Sequence, residues 1–237
     1  MNTRKIATLT GWLMVVTFVT SIPPYFILYA PVRDNPALIT GAGADPTASV
    51  ALGATLELVL IVANIGTAVV PYALFRRYSE GLALGYVAAR LVEAMFIAIG
   101  VLSVLTFLFM RQQGTAGSDA ALGEAFVAIY DRAFLLGPGI FAGVANGMIL
   151  GYLMYRTGLV PRGMAILGLI GGPLLLISAI AIMFDLIDRG SLLQGIATIP
   201  EAVWELSFGI YLIVKGFRPV PLPARADSEP VAQGVGA

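Results

Sequence analysis

Acids, arginines and asparagines interrupt long apolar runs at four places: Glu57 and Asn64; Arg90 and Glu93; Asp131, Arg132 and Asn146; Glu201 and Glu205. Residues three or four apart share a helix face, and residues seven apart nearly do. Arg90 and Glu93 can therefore pair directly. Glu57 lines up with Asn64, Arg132 with Asn146 through Gly139, and Glu201 with Glu205. A charge at the centre of a spanning helix costs about 2.5–3.5 kcal/mol, so the economical arrangement turns these stripes inward around one polar centre. Five carboxyls then face two guanidiniums. Two acids pair with Arg90 and with Arg132, the latter through Asp131 or Glu57. The rest must be protonated, hydrated or bound to a cation, because an isolated buried carboxylate neutralises. That is the chemistry of a proton or cation path. By depth, Glu57, Asp131, Arg132 and Glu201 fall toward the outside. Asn64, Glu93 and Glu205 lie near the middle, and Arg90 and Asn146 toward the inside.

Other chemistries are excluded by absence. The chain has no histidine and no cysteine, which removes the commonest general base and metal ligand and any thiolate site. No metal and no cofactor are expected. Lysine occurs only at Lys5 and Lys215, at predicted helix ends, so no lysine is placed for a mid-membrane Schiff base. Ser103, Ser178 and Ser207 have no base spaced to activate them. The zero net charge gives no footprint for nucleic acid. The expected partners are the lipid bilayer and a small solute, proton or cation, and an enzymatic role is not expected.

The elements that must position these residues are membrane helices. The 237 residues are 58% hydrophobic and 12% charged, with a mean hydropathy of +0.89. A soluble domain carries about twice that charge. Six apolar runs are long enough to cross a bilayer, at about 6–30, 50–75, 81–110, 124–155, 161–186 and 192–217. The fold class is an all-α membrane protein, a bundle of six transmembrane helices within residues 1–218. The first run is longer than a signal-peptide core and reads as a retained helix, bent by Pro23 and Pro24. The sixth starts either at Leu192 with a kink at Pro200 or at Pro200 itself. In the second case Glu201 sits in the first turn, where the helix dipole favours acid. Residues 219–237, rich in proline and poor in aromatics, read as a disordered tail.

Basic residues set the orientation. With the N-terminus inside, Arg4, Lys5, Arg76, Arg77, Arg156, Arg162, Lys215, Arg218 and Arg225 lie on the inner side, and Arg33, Arg111 and Arg189 on the outer. Both termini are then cytoplasmic. Glycine recurs every fourth residue at Gly139, Gly143, Gly147 and Gly151, a pattern that lets helix backbones approach closely. The expected partner is the fifth helix, with Gly168, Gly171, Gly172 and Pro173. Such faces could also join a second copy of the chain. A kink is expected at Gly137-Pro138-Gly139.

Arg90-Leu-Val-Glu93, Gly137-Pro-Gly-Ile-Phe-Ala-Gly143, Gly158-Leu-Val-Pro-Arg162, Trp204-Glu-Leu-Ser207 and Lys215-Gly-Phe217, in this order and spacing, resemble the bacterial membrane proteins of domain-of-unknown-function family 4386. The resemblance implies a multi-pass protein of the bacterial inner membrane with about six helices. It carries no catalytic residue. Three functions follow from the residues. The first is a polar cavity that binds or conducts a small solute, proton or cation. The second is a non-catalytic scaffold or sensor with structural ion pairs. The third is an intramembrane lipid-modifying enzyme, weakened by the lack of a clustered acidic motif.

Overall fold

The computed structural model describes residues 2–115, 117 and 119–221. Among these residues there are only helices and turns. Six helices are long and apolar enough to cross a bilayer: α1 (Thr3–Asp34), α2 (Thr47–Phe75), α3 (Glu80–Gln113), α4 (Ala121–Thr157), α5 (Arg162–Met183) and α6 (Leu192–Val214). The protein is an all-α, multi-pass membrane protein. Its surface is inverted relative to a soluble fold. Large apolar side chains such as Val62, Leu102 and Ile177 are exposed, while Glu57, Asn64, Arg90, Glu93, Asn146 and Glu201 are buried. Lipid hosts the first set and rejects the second.

Each helix packs on the next, and α6 closes the ring against α1. The half that carries both ends of the described chain, the inner half below, is solid. There Phe75, Tyr86, Leu153, Trp204, Phe208 and Leu212 form one continuous core. Close backbone contact locks α1 to α6 at this level. A Cβ on Gly11 would stand 2.9 Å from Ile213 Cγ1, and one on Gly209 would stand 3.0 Å from Met14 Cβ. Arg4 adds hydrogen bonds to the Ile213 and Val214 carbonyls, at 2.7 and 3.2 Å, on the last turn of α6. Toward the outside, Tyr29, Ile39, Val50, Phe107 and Tyr130 make a second core. It seats the α1–α2 connection on α3 and α4.

Local sequence explains the boundaries. Asp45 accepts from the Thr47 backbone N–H and hydroxyl, at 3.0 and 2.6 Å, starting α2. These bonds hold its carboxyl below the usual aspartate value. Ser79 caps α3 and Ser191 caps α6, and Gly114 and Gly158 end α3 and α4 with positive φ, as glycine readily does. Helix α6 thus begins at Leu192 and carries Pro200 inside. Glu201 is therefore nine residues into the helix, and the first-turn reading for it does not hold. Helix α1 widens into π turns over Pro24–Leu28, where the two prolines remove ladder donors. At the other end, Tyr78 donates to the Val220 carbonyl at 3.2 Å, so the expected tail is docked at its start. Its remainder, 222–237, lies outside the described residues.

Helix α4 departs most from an ideal helix. It is π-helical over Leu135–Phe141 and Gly143–Leu150. Pro138 removes one ladder donor, and the surrounding glycines tolerate wider turns. A π turn takes one residue more than an α turn. Seven residues therefore no longer return to the same face, which governs where the side chains of α4 point.

Candidate functional site

The central polar group is built from α2, α3, α4 and α6. Arg90 on α3 donates through Nη1 to Glu93 Oε2 at 2.8 Å, the three-residue spacing placing both on one face. Its Nε reaches the Thr67 hydroxyl at 3.2 Å and the Asn64 carbonyl at 3.5 Å on α2. One turn earlier on α3, the Tyr86 hydroxyl donates to Asn146 Oδ1 at 3.0 Å. The Asn146 amide in turn donates to Glu205. Trp204 Nε1 donates to the Asn146 backbone carbonyl at 2.9 Å, fixing α6 to α4. Asn146 is thus the joint between the Tyr86 hydroxyl and the Glu205 carboxyl.

Glu201, one turn outward on α6, has no such partner. It is 2% exposed, and both its oxygens lack a hydrogen-bond donor. Gly147 and Gly171 make room for it. A Cβ at either position would stand 2.6 or 2.8 Å from Glu201 Oε2. Asn64 Oδ1 is also buried without a donor.

These groups form the floor of a cavity of about 480 Å³, a size typical of small-molecule sites. Arg90, Glu93, Asn64, Glu201 and Glu205 line it below. Its walls are mainly apolar, with Phe18, Ile22, Leu60, Ile97, Leu135 and Ile199, and carry the hydroxyls of Thr17, Ser21 and Thr198. Its upper end is lined by Arg189, Gly190 and Ser191 in the α5–α6 connection. The cavity therefore occupies the outer half of the bundle, above the solid inner core. Among the described residues no cluster of acids could hold a metal ion.

The family model described as Domain of unknown function (DUF4386) matches residues 9–216. The chain belongs to the DUF4386 family. No curated protein and no solved structure matches it. The matched span runs from the first helix to Gly216, so the DUF4386 unit contains every residue of the cavity floor.

Within this DUF4386 bundle, the outer charges do not form the single outer site expected of them. Glu57 is clasped by two tyrosines. Tyr29 donates to Oε2 at 3.0 Å and Tyr130 to Oε1 at 2.9 Å. Two glycines admit the rings: a Cβ on Gly53 would stand 2.8 Å from Tyr29 Cζ, and one on Gly100 3.1 Å from Tyr130 Cδ2. Glu57 does not line the cavity, and among the described residues no arginine pairs with it. Asp131 pairs instead with Arg33 of α1 at 3.1 Å and Arg189 at 3.0 Å. Both guanidiniums lie over the Tyr25 ring, at 4.0 and 5.4 Å. Arg132 is exposed and sits in a shallow apolar groove with Phe96, Ile129 and Leu136. The expectation that Arg132 pairs with Asp131 or Glu57 in the interior is thus corrected. The π turns between residues 132 and 146 break the shared stripe, turning Asn146 inward and leaving Arg132 outside.

Sequence reasoning missed Thr67, Tyr86, Tyr29 and the inward reach of Arg33 and Arg189. Two signals were available: Tyr86 lies four residues before Arg90, and Thr67 three after Asn64, on the same faces. Nothing local marks Tyr29 or Arg189, whose partners lie on other helices. Gly143, Gly147 and Gly151 of α4 face α5. A Cβ on Gly143 would stand 2.8 Å from Gly172 O, and one on Gly151 3.3 Å from Leu169 N.

Proposed function

We propose that this DUF4386 protein uses the outer-half cavity to bind, and pass toward the membrane interior, a small solute, proton or cation. The observation that carries the reading is Glu201: a buried carboxyl facing a cavity with no donor for either oxygen. A structural ion pair needs no such vacancy. Glu93 and Glu205 face the same space, and Arg90 alone offsets the three carboxyls. In proteoliposomes, Glu93→Gln and Glu205→Gln are expected to lower proton or alkali-cation flux about tenfold or more. Loss of one hydrogen bond to a charged group is worth about 1.5–3 kcal/mol, and 1.4 kcal/mol is tenfold. The thermal midpoint of Glu205→Gln should change little, since glutamine keeps the shape and the hydrogen-bond partner of Glu205 is the neutral Asn146 amide, whereas Glu93→Gln strands Arg90 and should lower it. Wild-type protein silent toward every ion, or a Glu205→Gln variant that loses flux and stability together, would favour the scaffold reading.

The same proposal sets the protein in the bacterial inner membrane with both termini cytoplasmic, residues 1–218 forming one transmembrane unit. The inner-side arginines support that orientation, and the cavity then opens away from the cytoplasm. The chain has no cysteine, so single cysteines report topology cleanly. Leu192→Cys should react with a membrane-impermeant maleimide in intact spheroplasts. Gly163→Cys should react only after permeabilisation. The reverse pattern would invert the orientation.

A further inference from the structure

The chemistry of the cavity narrows its ligand, given the reading that it is a binding site. On the floor, the buried side-chain atoms without partners are acceptors: Glu201 Oε1, Glu201 Oε2 and Asn64 Oδ1. Arg90 is engaged by Glu93 and Thr67, and Glu205 already accepts from Asn146. The floor therefore asks for a donor and for positive charge. A bare proton meets the charge but leaves a volume of about 480 Å³ unfilled, several times the ~30 Å³ share of one water. An inorganic cation fits poorly too. Above the floor it meets mainly Phe18, Ile22, Leu60 and Ile97, and the hydroxyls among them, Thr17, Ser21 and Thr198, are scattered and bonded to their own helix backbones, not gathered as the oxygen shell that hard cations need.

The approach favours an apolar body as well. The upper end is lined by the Arg189 guanidinium, held on Asp131 with Nη2 buried without a partner among the described residues, so a hydrated cation arriving from water meets a guanidinium first. The lipid side is different. Ile22 and Phe26 on α1, and Ile196 and Ile199 on α6, are all more than 40% exposed, and Ile22, Phe26 and Ile199 also line the cavity. The close glycine contacts between the two helices lie at Gly11 and Gly209, with Arg4 beside them. A compound dissolved in the outer leaflet can pass between their outer ends.

We propose that the cavity binds a lipophilic amine in its protonated form, with the ammonium on Glu201 beside Glu205 and a compact apolar body against the α1, α2 and α3 walls. This rests on the cavity being a ligand site, and it names the ligand class.

The test uses the full chain in lipid nanodiscs and three probes of one shape: 1-adamantylammonium, 1-adamantanol and 1-adamantanecarboxylate. Binding is measured by equilibrium dialysis against empty nanodiscs. The ammonium is expected to bind saturably and not to be displaced by the other two. Glu201→Gln should weaken it about tenfold or more, and Glu205→Gln should weaken it as well. The second variant gives the reading if the first elutes as an aggregate. Equal binding of the alcohol or carboxylate, or an unchanged affinity in a well-folded Glu201→Gln protein, would overturn the amine while leaving the cavity a ligand site. Absence of binding by all three probes would also overturn it. If Glu93-dependent ion flux persists in that case, the broader reading stands; if flux is absent too, both fall.

Discussion

Replacing Arg90 by alanine is expected to lower the stability of the bundle by about 3–5 kcal/mol, the usual result of removing one partner from a buried ion pair. Arg90 is 2% exposed and Glu93 5%, so the remaining carboxyl is left largely buried without its counter-charge. The Thr67 hydroxyl and the Asn64 carbonyl lose their guanidinium at the same time. Lysine should restore only part of the loss, because its compact ammonium cannot reach Glu93 and Thr67 with the planar fork that arginine offers. The decisive variant is the double one. Arg90→Ala with Glu93→Gln removes the stranded charge and should be more stable than Arg90→Ala alone, a coupling that a double-mutant cycle isolates. Unfolding of the detergent-solubilised protein, followed by circular dichroism, gives the comparison. Equal stability of Arg90→Ala and wild type would mean that the pair does not hold α3 in place.

Gly172→Val is expected to be among the most damaging single substitutions at the glycines of α4 and α5. A Cβ there would stand 2.9 Å from Gly147 Cα and from Met148 N. Both are backbone atoms, so no rotamer change relieves the clash, and α4 and α5 must move apart. Overpacking of this kind costs about 1–3 kcal/mol or more. Here separation also pulls Gly171 and Gly147 away from Glu201, so cavity and fold fail together. Gly163→Ala is the matched control, since nothing lies within 4 Å of its added carbon. It should be neutral or slightly stabilising, glycine being a poor helix former by about 1 kcal/mol. The readout is the fraction of monodisperse protein on size exclusion, with thermal midpoints for whatever folds. A well-folded Gly172→Val protein would show that the α4–α5 contact is looser than these distances require.

The two sets of residues were legible to different degrees. The pairing of Arg90 with Glu93 follows from a three-residue spacing. The glycine contacts of α4 with α5 follow from small residues on two adjacent helices. Asn64 lines the cavity beside Arg90 and Glu93. The placing of Glu57, Asp131 and Arg132 followed no such rule. A wheel drawn at 3.6 residues per turn puts Arg132 and Asn146 on one stripe. The π turns over Leu135–Phe141 and Gly143–Leu150 rotate them apart, and no residue pattern announces how many π turns will form.

The sequence by itself determined the class, the six crossings and the inward burial of most charges. These depend on solvent alone: lipid rejects charge and accepts leucine wherever the residue lies in the chain. The tertiary structure decided who meets whom. Two tyrosines from α1 and α4 satisfy Glu57, Arg33 and Arg189 share Asp131, and Glu201 is left facing open space. Those outcomes depend on the distances and rotations between helices, set by close glycine contacts at one level and by their lack at another. The hollow outer half arises in this way: α1 and α6 touch backbone to backbone near Gly11 and Gly209, and no comparable pair of glycines draws their outer ends together.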